Sequence, residues 1–564
     1  MFTRGEAVVK KLSVGAICLA FLSGSTLAQD AKTVIANAQK ALGDVKSITY
    51  SGTAKDVSFQ QCGANKADMQ CRSTHDPMRP IDNYVRAIDL TAPTSRATGT
   101  TNNIGAGGST TITPGNFSQQ ISAQQADVSQ PWNNSLEFYL TPWGFLKGAA
   151  ANNATVGPKK VKVDGKNYTV LTWSPTVKAP SGKSYVINGY VNDQNIVDRV
   201  ETWYQDNIMG DMHILAVYSG WKDFGGVMAP TKIVQTRGEF PFFEVNVTSA
   251  KANPADIATI GLPPAPAGRG GAGGAGGAAP AGGGGAAGAP PRGGAAPAGA
   301  AAGAPPRGGA PAAGAPAAGA PPLPGGAPGG GAPQAARGGA PAPLVVTNEK
   351  LGDGLYRLTT GPGSYDSVIV EFKDYVMMLE GPQSIARGQA YIDATKKLIP
   401  NKPIRYVMNT HPHSDHTGGL PALAAEGAII ITQKNNVEFL EKSLNNPRTL
   451  LDPTVDPLAK TPKKVKVEAV AEKKVYSDGT RTVEMYHIPG APHSNGLIVA
   501  YIPKEKVLFQ GDFSLPNPGE QANDHIKALV PVLEKLNLDF DRYINVHTSP
   551  APQSKAELWK AVGK

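Results

Sequence analysis

The most informative segment of this 564-residue chain is Thr410-His411-Pro412-His413-Ser414-Asp415-His416-Thr417-Gly418-Gly419. It places three histidines and a carboxylate close together, and imidazole and carboxylate groups are ligands that zinc favours. In an extended chain, residues two apart point to the same side, so His411 and His413 can present both imidazoles to one metal ion. Pro412 favours this geometry because it disfavours a helical conformation at His411. The segment therefore predicts a metal site.

Three more candidate ligands follow along the chain, namely His493, Asp512 and His547. All the candidate ligands lie in loops at or just beyond the ends of predicted strands, which cover residues 404–408, 483–488, 497–502, 506–510 and 543–546. A rigid sheet can aim such loop residues at a common point. The remaining histidines are interpreted as ordinary surface or core residues: His75, His213, His487 and His525.

These residues resemble the ordered motifs of the metallo-β-lactamase superfamily, over about residues 351–564. The segment Val507-Leu508-Phe509-Gln510-Gly511-Asp512 is similar to the family strand that ends in Gly-Asp. The resemblance implies an α/β fold, an αββα sandwich, that holds two zinc ions, and other divalent transition metals fit the same donors. It implies that the first ion is bound by His411, His413 and His493, the second by Asp415, His416 and His547, and that Asp512 bridges them.

Two positions depart from the family pattern. Glu380-Gly381-Pro382 replaces the common Asp-Thr/Ala-Gly after the second strand, and Val546 precedes His547 where the family often has glycine. Neither change alters a ligand, but both change the groups that support the ligands.

The position of Asp512 narrows the function that the resemblance implies. No cysteine follows Cys71, which excludes the zinc β-lactamase subclass with a cysteine ligand. With a bridging aspartate at this position, the ligand pattern is similar to that of glyoxalase-II-like thioesterases, lactonases and related esterases. The resemblance implies that a metal-bridging hydroxide attacks an ester, thioester, lactone or amide carbonyl of a small-molecule substrate, with Asp415 as both ligand and acid/base. Two alternatives stay open: zinc β-lactamase activity, and a periplasmic ligand-binding or envelope protein with an accessory zinc domain.

The amino terminus predicts export from a bacterial cell. Residues 1–28 have basic residues, an apolar stretch and Thr26-Leu27-Ala28 before Gln29, which is the pattern of a secretory signal peptide. The apolar stretch is too short to span a membrane stably, so the mature chain is expected to have no transmembrane segment and to be periplasmic or secreted. Cys62 and Cys71 are expected to form a disulfide in that oxidising compartment. A metal pair is the competing interpretation.

Residues 263–343 consist almost wholly of Gly, Ala and Pro and are predicted to be a disordered linker. It would separate an amino-terminal domain, residues 29–262, from the metallo-β-lactamase-like domain, residues 344–564. Independent motion of the two domains is the expectation for such a linker. The net charge is +9, but the linker and the signal account for most of it, so the composition does not indicate nucleic-acid binding.

The amino-terminal domain is predicted to be an α+β domain dominated by an antiparallel sheet. Helical spacing of apolar residues predicts a helix that ends near Gly43. Strands are predicted over residues 161–173, as a hairpin that turns at Asp164-Gly165, and over residues 185–204, 213–221, 232–237 and 242–248. Residues 95–130, rich in Ser, Thr, Gly, Asn and Gln, are predicted to form a long loop. This order weakly resembles periplasmic lipoprotein-carrier folds, which implies an apolar ligand for this domain.

Overall fold

The structure is a computed structural model, and it describes residues 24–43, 45–56, 78–104, 112–122, 133–257, 344–361, 365–491, 494–516, 522–547 and 551–564. His493, the pair Cys62 and Cys71, and the linker lie outside these residues, as does most of the predicted signal peptide. The predictions for these parts, and the domain boundaries at residues 28, 262 and 343, therefore stay predictions. Among the described residues, no helix is long and apolar enough to cross a membrane.

The described residues of the amino-terminal part form helices and one large sheet. The helices are α1 (Gly24–Leu42), α2 (Asn133–Tyr139) and α3 (Pro142–Ala151). The strands are β1 (Ser47–Asp56), β2 (Arg79–Asp89), β3 (Thr94–Ile104), β4 (Ile112–Ser122), β5 (Thr155–Val156), β6 (Val161–Val163), β7 (Lys166–Trp173), β8 (Ile187–Val191), β9 (Val197–Asp206), β10 (Gly210–Ser219), β11 (Lys222–Asp223), β12 (Met228–Ala229), β13 (Lys232–Arg237) and β14 (Phe240–Ala252).

Twelve of these strands form one sheet, in the order β4-β3-β2-β1-β14-β13-β10-β9-β8-β7-β5, with β6 paired to β7. Strands β11 and β12 pair separately. The pairings within the sheet are antiparallel, which confirms the predicted antiparallel amino-terminal domain. The predicted hairpin is also present: Asp164 and Gly165 have φ values of +49° and +82°, as a two-residue type I′ turn requires.

The long loop predicted over residues 95–130 is wrong. Strands β3 and β4 fall within this range and pair in register from Thr94↔Ser122 to Ile104↔Ile112. The prediction gave too much weight to composition. A ladder of backbone hydrogen bonds does not need apolar side chains, and threonine, which recurs in β3, is a good strand former.

The carboxy-terminal part contains two further sheets. The strands are β15 (Thr347–Gly352), β16 (Leu355–Thr359), β17 (Ser367–Glu371), β18 (Val376–Leu379), β19 (Ile404–Met408), β20 (Ile429–Gln433), β21 (Val467–Val470), β22 (Lys473–Ser477), β23 (Thr482–His487), β24 (Ile498–Ile502), β25 (Val507–Gln510), β26 (Arg542–Asn545) and β27 (Gln553–Ser554). The helices are α4 (Ile385–Leu398), α5 (Ser414–Thr417), α6 (Leu420–Glu426), α7 (Val437–Asn445), α8 (Pro457–Lys460), α9 (Asp524–Leu536) and α10 (Lys555–Ala561), and a 3₁₀ turn covers Lys434–Asn436.

Both sheets follow chain order, β15 to β21 in one and β22 to β27 in the other. Strands β18, β19, β20 and β21 are parallel neighbours, and so are β25 and β26. The carboxyl ends of parallel strands meet at one edge of a sheet, and an open α/β sheet binds ligands at this edge. The loops after β19, β25 and β26 carry His411, Asp512 and His547.

Alternating residues bury both faces of the central strands. In β17, Val368 and Val370 belong to a cluster that includes Phe509 of the other sheet. Ile369, between them, belongs to a different cluster that includes Leu423 of α6. Side chains of β25 alternate in the same way between the shared cluster and a cluster with α9 and α10. Strands buried on both faces read as continuous apolar runs, which is why the sequence pattern located them.

The amino-terminal sheet packs directly against the carboxy-terminal part, and the two belong to one compact unit. The carboxylate of Asp211 accepts hydrogen bonds from the backbone N–H groups of Thr449 and Leu450, at 2.9 Å each. The ring centroids of Phe240 and Phe439 are 5.7 Å apart. The structure thus disagrees with the expectation of independent domain motion. The sequence gives no sign of this contact because its two sides are separated by about two hundred residues and neither forms a periodic pattern.

Arg448 is the centre of this interface. Its guanidinium forms a buried ion pair with Asp456, with 2.6 Å between Nη2 and Oδ2. It also donates to two carbonyls of the β9–β10 turn, those of Asn207 at 2.5 Å and Ile208 at 3.3 Å. One cation of the carboxy-terminal part therefore satisfies backbone acceptors of the amino-terminal sheet.

Candidate metal centre

The first motif follows β19 directly. Because β19 lies between the parallel strands β18 and β20, its end is fixed from both sides. His413 then occupies the position before α5 in an extended conformation, with φ −62° and ψ 152°, and its carbonyl accepts hydrogen bonds from the N–H groups of His416 and Thr417. This single helical turn brings Asp415 and His416 back toward His411. The centroids of the His411 and His416 rings are 4.1 Å apart.

Asp512 and His547 reach the same point from the second sheet. Asp512 follows β25 by two residues and His547 follows β26 by two. Between β25 and Asp512 the chain passes close to the first motif at Gly511. A Cβ atom there would lie 2.9 Å from Oγ1 of Thr410 and 3.4 Å from Nδ1 of His411. Glycine at this position therefore allows the two loops to meet.

The five side chains form one cluster in which Asp512 is central. Its Oδ2 atom lies 2.9 Å from Nε2 of His411 and 3.3 Å from Nε2 of His416. Its other oxygen, Oδ1, contacts Nε2 of His547. Oδ2 of Asp415 lies 3.5 Å from Nε2 of both His416 and His547. Two overlapping groups result, each with donor atoms close enough to share an ion: His411, His416 and Asp512 in one, Asp415, His416 and His547 in the other.

The charges of this cluster depend on one another. Burial disfavours the charged form of His416, but the carboxylates of Asp512 and Asp415 outweigh burial and raise its pKa well above the usual value. Burial also lowers the pKa of His547, but the carboxylate of Asp512 outweighs burial, so the pKa of His547 is raised. Burial raises the pKa of Asp415, but the neighbouring histidines, His416 first, bring it below the usual value. A divalent cation can replace the protons of imidazoles that are paired with carboxylates in this way.

Glu380 and Thr410 support the ligands. The carboxylate of Glu380 is fully buried and accepts a hydrogen bond from the Thr410 hydroxyl at 2.5 Å. The Nδ1 atom of His416 lies 3.1 Å from Oε2 of Glu380, and Nδ1 of His411 lies 3.1 Å from the Thr410 hydroxyl. Because that hydroxyl gives its proton to Glu380, it can only accept from His411. Nδ1 then carries the proton in both imidazoles when they are neutral, so both Nε2 atoms, which face Asp512, can act as ligand atoms. In the sequence, the only sign of this role is that Glu380 departs from the family pattern.

The structure thus brings together five of the seven predicted ligands. His413 is buried beside them, with its ring centroid 4.4 Å from that of His411, but it belongs to neither group. The donor set of imidazoles and carboxylates fits a transition-metal ion such as zinc.

Comparison with known proteins agrees with this description. Residues 360–564 match the model of the metallo-beta-lactamase superfamily. Solved structures similar to the chain include a metallo-beta-lactamase from Pontibacter korlensis, with 18% identity, a TM-score of 0.30, and coverage of 39% of this chain and 98% of that chain. The DIM-1 metallo-beta-lactamase has 17% identity and a TM-score of 0.30, with coverage of 39% and 95%. The family model confirms, for residues 360–564, the resemblance stated from the motifs.

A curated protein similar to the chain is the 2,4-dinitroanisole O-demethylase subunit alpha of Nocardioides sp. (strain JS1661). It is 23% identical over 210 residues, which cover 36% of this chain and 60% of that protein.

Proposed function

We propose that the carboxy-terminal domain is a binuclear metal-dependent hydrolase that cleaves an ester, thioester, lactone or amide bond of a small molecule. The observation that carries this proposal is the position of Asp512, whose two oxygens contact His411 and His416 on one side and His547 on the other. A carboxylate in this position can serve two ions at once. The buried clusters on both faces of each sheet support an αββα layer order for this domain.

In the proposed site, one zinc ion would be held by His411, His413 and His493, and the other by Asp415, His416 and His547, with Asp512 as a ligand of both. When bound, the two ions would supply Lewis acidity and lower the pKa of a coordinated water. The lowered pKa of Asp415 keeps its carboxylate ionised at neutral pH. It can therefore accept a proton from the attacking water and return it to the leaving group. Glu380 and Thr410 would hold the imidazoles of His411 and His416 in the tautomer in which Nε2 can be a ligand atom.

Metal content and turnover test this proposal together. Zinc-loaded protein is offered a panel that contains a chromogenic ester, a thioester, a lactone, a β-lactam and, because of the similar O-demethylase subunit, 2,4-dinitroanisole. We expect about two ions per chain, since the ligands exceed what one tetrahedral ion uses, and turnover that a chelator abolishes and zinc restores.

Asp512→Asn is the decisive variant because it weakens both groups at once, so both the metal content and the turnover should fall. His213→Ala is the matched control, since it removes a histidine of the amino-terminal sheet that bonds to Glu201. One ion or none in wild type, or turnover that survives chelation, would contradict the proposal. Tight binding of an apolar ligand by residues 29–262 without any turnover would favour the ligand-binding alternative.

The sequence also supports a proposal about location. We propose that residues 1–28 are removed on export and that Cys62 and Cys71 form a disulfide. Mass spectrometry of the protein recovered from the periplasm or medium should give Gln29 as the first residue and a chain two hydrogens lighter than its reduced form.

A further inference from the structure

His547 is held less completely than the other described ligands. Its side chain is 34% exposed, whereas His411 and His416 are fully buried. The Glu380–Thr410 pair orients the imidazoles of His411 and His416. The valine that precedes His547, in place of the glycine frequent in the family, leaves open how this chain fixes the ligand.

Tyr365 lies against His547 through both backbone and ring. The two residues form an isolated antiparallel bridge between the segment before β17 and the segment after β26. Next to this bridge, the N–H of Asp366 donates to the carbonyl of Val546 at 2.7 Å. The ring centroids of Tyr365 and His547 are 4.9 Å apart, with planes tilted by 60°. The imidazole therefore rests on the tyrosine ring.

Tyr365 is itself fixed by buried groups that take no part in metal binding. Asp366, the next residue, forms a fully buried ion pair with Arg357, with 2.6 Å between Oδ2 and Nη2. The Tyr391 hydroxyl donates to the Tyr365 carbonyl. The guanidinium of Arg387 lies 5.7 Å from the centre of the Tyr365 ring. A side chain held from three directions can transmit that order to its neighbour.

We propose that Tyr365 is a positioning residue that sets the orientation of His547 and thereby the affinity of the second metal position. The proposal rests on the binuclear site proposed above. The aromatic ring of Tyr365 would orient His547, because the contact is between the two rings, and the fixed backbone of residues 365 and 366 would hold that ring in place. Loss of a supporting partner of this kind typically weakens metal binding about 10- to 100-fold.

Metal titration of the full chain tests the inference. Wild type, Tyr365→Ala, Tyr365→Leu and Tyr365→Phe are stripped of metal and titrated with Co²⁺, whose absorption spectrum reports on each position, and with Zn²⁺ by calorimetry. We expect Tyr365→Ala and Tyr365→Leu to bind the first ion as wild type does and the second about 10- to 100-fold more weakly. Tyr365→Phe should keep both affinities because it keeps the ring.

Tyr375→Ala is the matched control. Tyr375 is also half-buried and packs on the same hydrophobic cluster as Tyr365, so its loss tests for general loosening of the domain. If Tyr365→Ala bound each of the two ions with the same affinity as wild type, the role of Tyr365 would be overturned while the proposed function would stand. An equal loss in Tyr375→Ala, or a loss of the first ion as large as that of the second, would also overturn that role. Wild type that binds fewer than two ions would overturn the proposed function as well.

Discussion

At the scale of single residues, one buried carboxylate supports ligands that the family pattern assigns to different ions. Glu380 receives the Thr410 hydroxyl, which faces His411, and also faces Nδ1 of His416. Its backbone φ of +76° is unusual for a residue with a side chain. Strain of this kind persists where the surroundings demand a particular geometry.

Glu380→Gln should therefore weaken metal binding about 10- to 100-fold. The amide retains one acceptor, but its NH₂ group would face a donor in either orientation: the Asn409 side-chain amide at the position of Oε1, or the Thr410 hydroxyl and His416 at the position of Oε2. Zinc affinity measured by competition with a chromogenic chelator checks this, with Glu371→Gln as the control, since Glu371 pairs with Lys402 at the surface. An affinity within twofold of wild type would show that the carboxylate is dispensable.

The pH dependence of stability should change sign with metal. In metal-free protein the pKa values of His416 and His547 are raised, because nearby carboxylates outweigh burial. A raised folded-state pKa contributes stability that is complete below the ordinary histidine value of about 6.5 and is lost as pH rises through the folded-state value. Zinc requires neutral imidazoles, so the loaded protein should gain stability over the same interval. Calorimetric melting of both forms checks this, and a metal-free melting temperature that rises with pH would contradict it.

At the scale of elements, strands that feed the metal site are predictable and polar strands are not. The predicted strand over residues 404–408 matches β19, and the others next to the site agree within about a residue or two, because burial on both faces leaves a continuous apolar run. Strands β3 and β4 carry polar residues and give no such run. His413 shows the limit for the site, since spacing places it beside His411 but does not determine which imidazole joins which group.

The 3₁₀ turn before α7 is bonded to the chain just before β24. Nδ2 of Asn436, at the end of this turn, donates to the carbonyl of Gly496 at 2.7 Å and to Oγ1 of Thr432 at 3.0 Å. Asn436→Ala should lower the free energy of unfolding by about 1–3 kcal/mol, because the buried carbonyl loses its donor. Urea unfolding checks this against Asn435→Ala, and equal effects of the two variants would remove the special role of Asn436.

At the scale of the whole molecule, the two folded parts should behave as one unit. Trypsin is expected to cut at the arginines within residues 263–343, yet the products should elute together in size-exclusion chromatography. The contacts of Asp211 and Arg448 hold them. The separation of two fragments without denaturant would show that the interface does not persist in solution.

Arg448→Leu tests the same interface from within. Removal of one partner of a buried ion pair typically costs about 3–5 kcal/mol, because Asp456 would stay buried and uncompensated. We expect wild type to unfold in one calorimetric transition and Arg448→Leu to unfold at a lower temperature, with the two parts resolved. Lys442→Ala is the control, since Lys442 reaches Glu239 across the same interface but is exposed. A single unshifted transition in Arg448→Leu would exclude this role.

The position of Asp512 between His411, His416 and His547 also bears on how the proposed binuclear site would fill. An ion that arrives first would take an oxygen of Asp512 and add positive charge beside the second position. The second ion would then meet a carboxylate that is already partly neutralised, so the two binding equilibria would be linked and would not be described by two independent constants. Loading should be sequential, and at limiting zinc the population should consist mainly of singly loaded chains. Doubly loaded protein would then accumulate only after about one ion per chain has bound, and not in simple proportion to the metal supply.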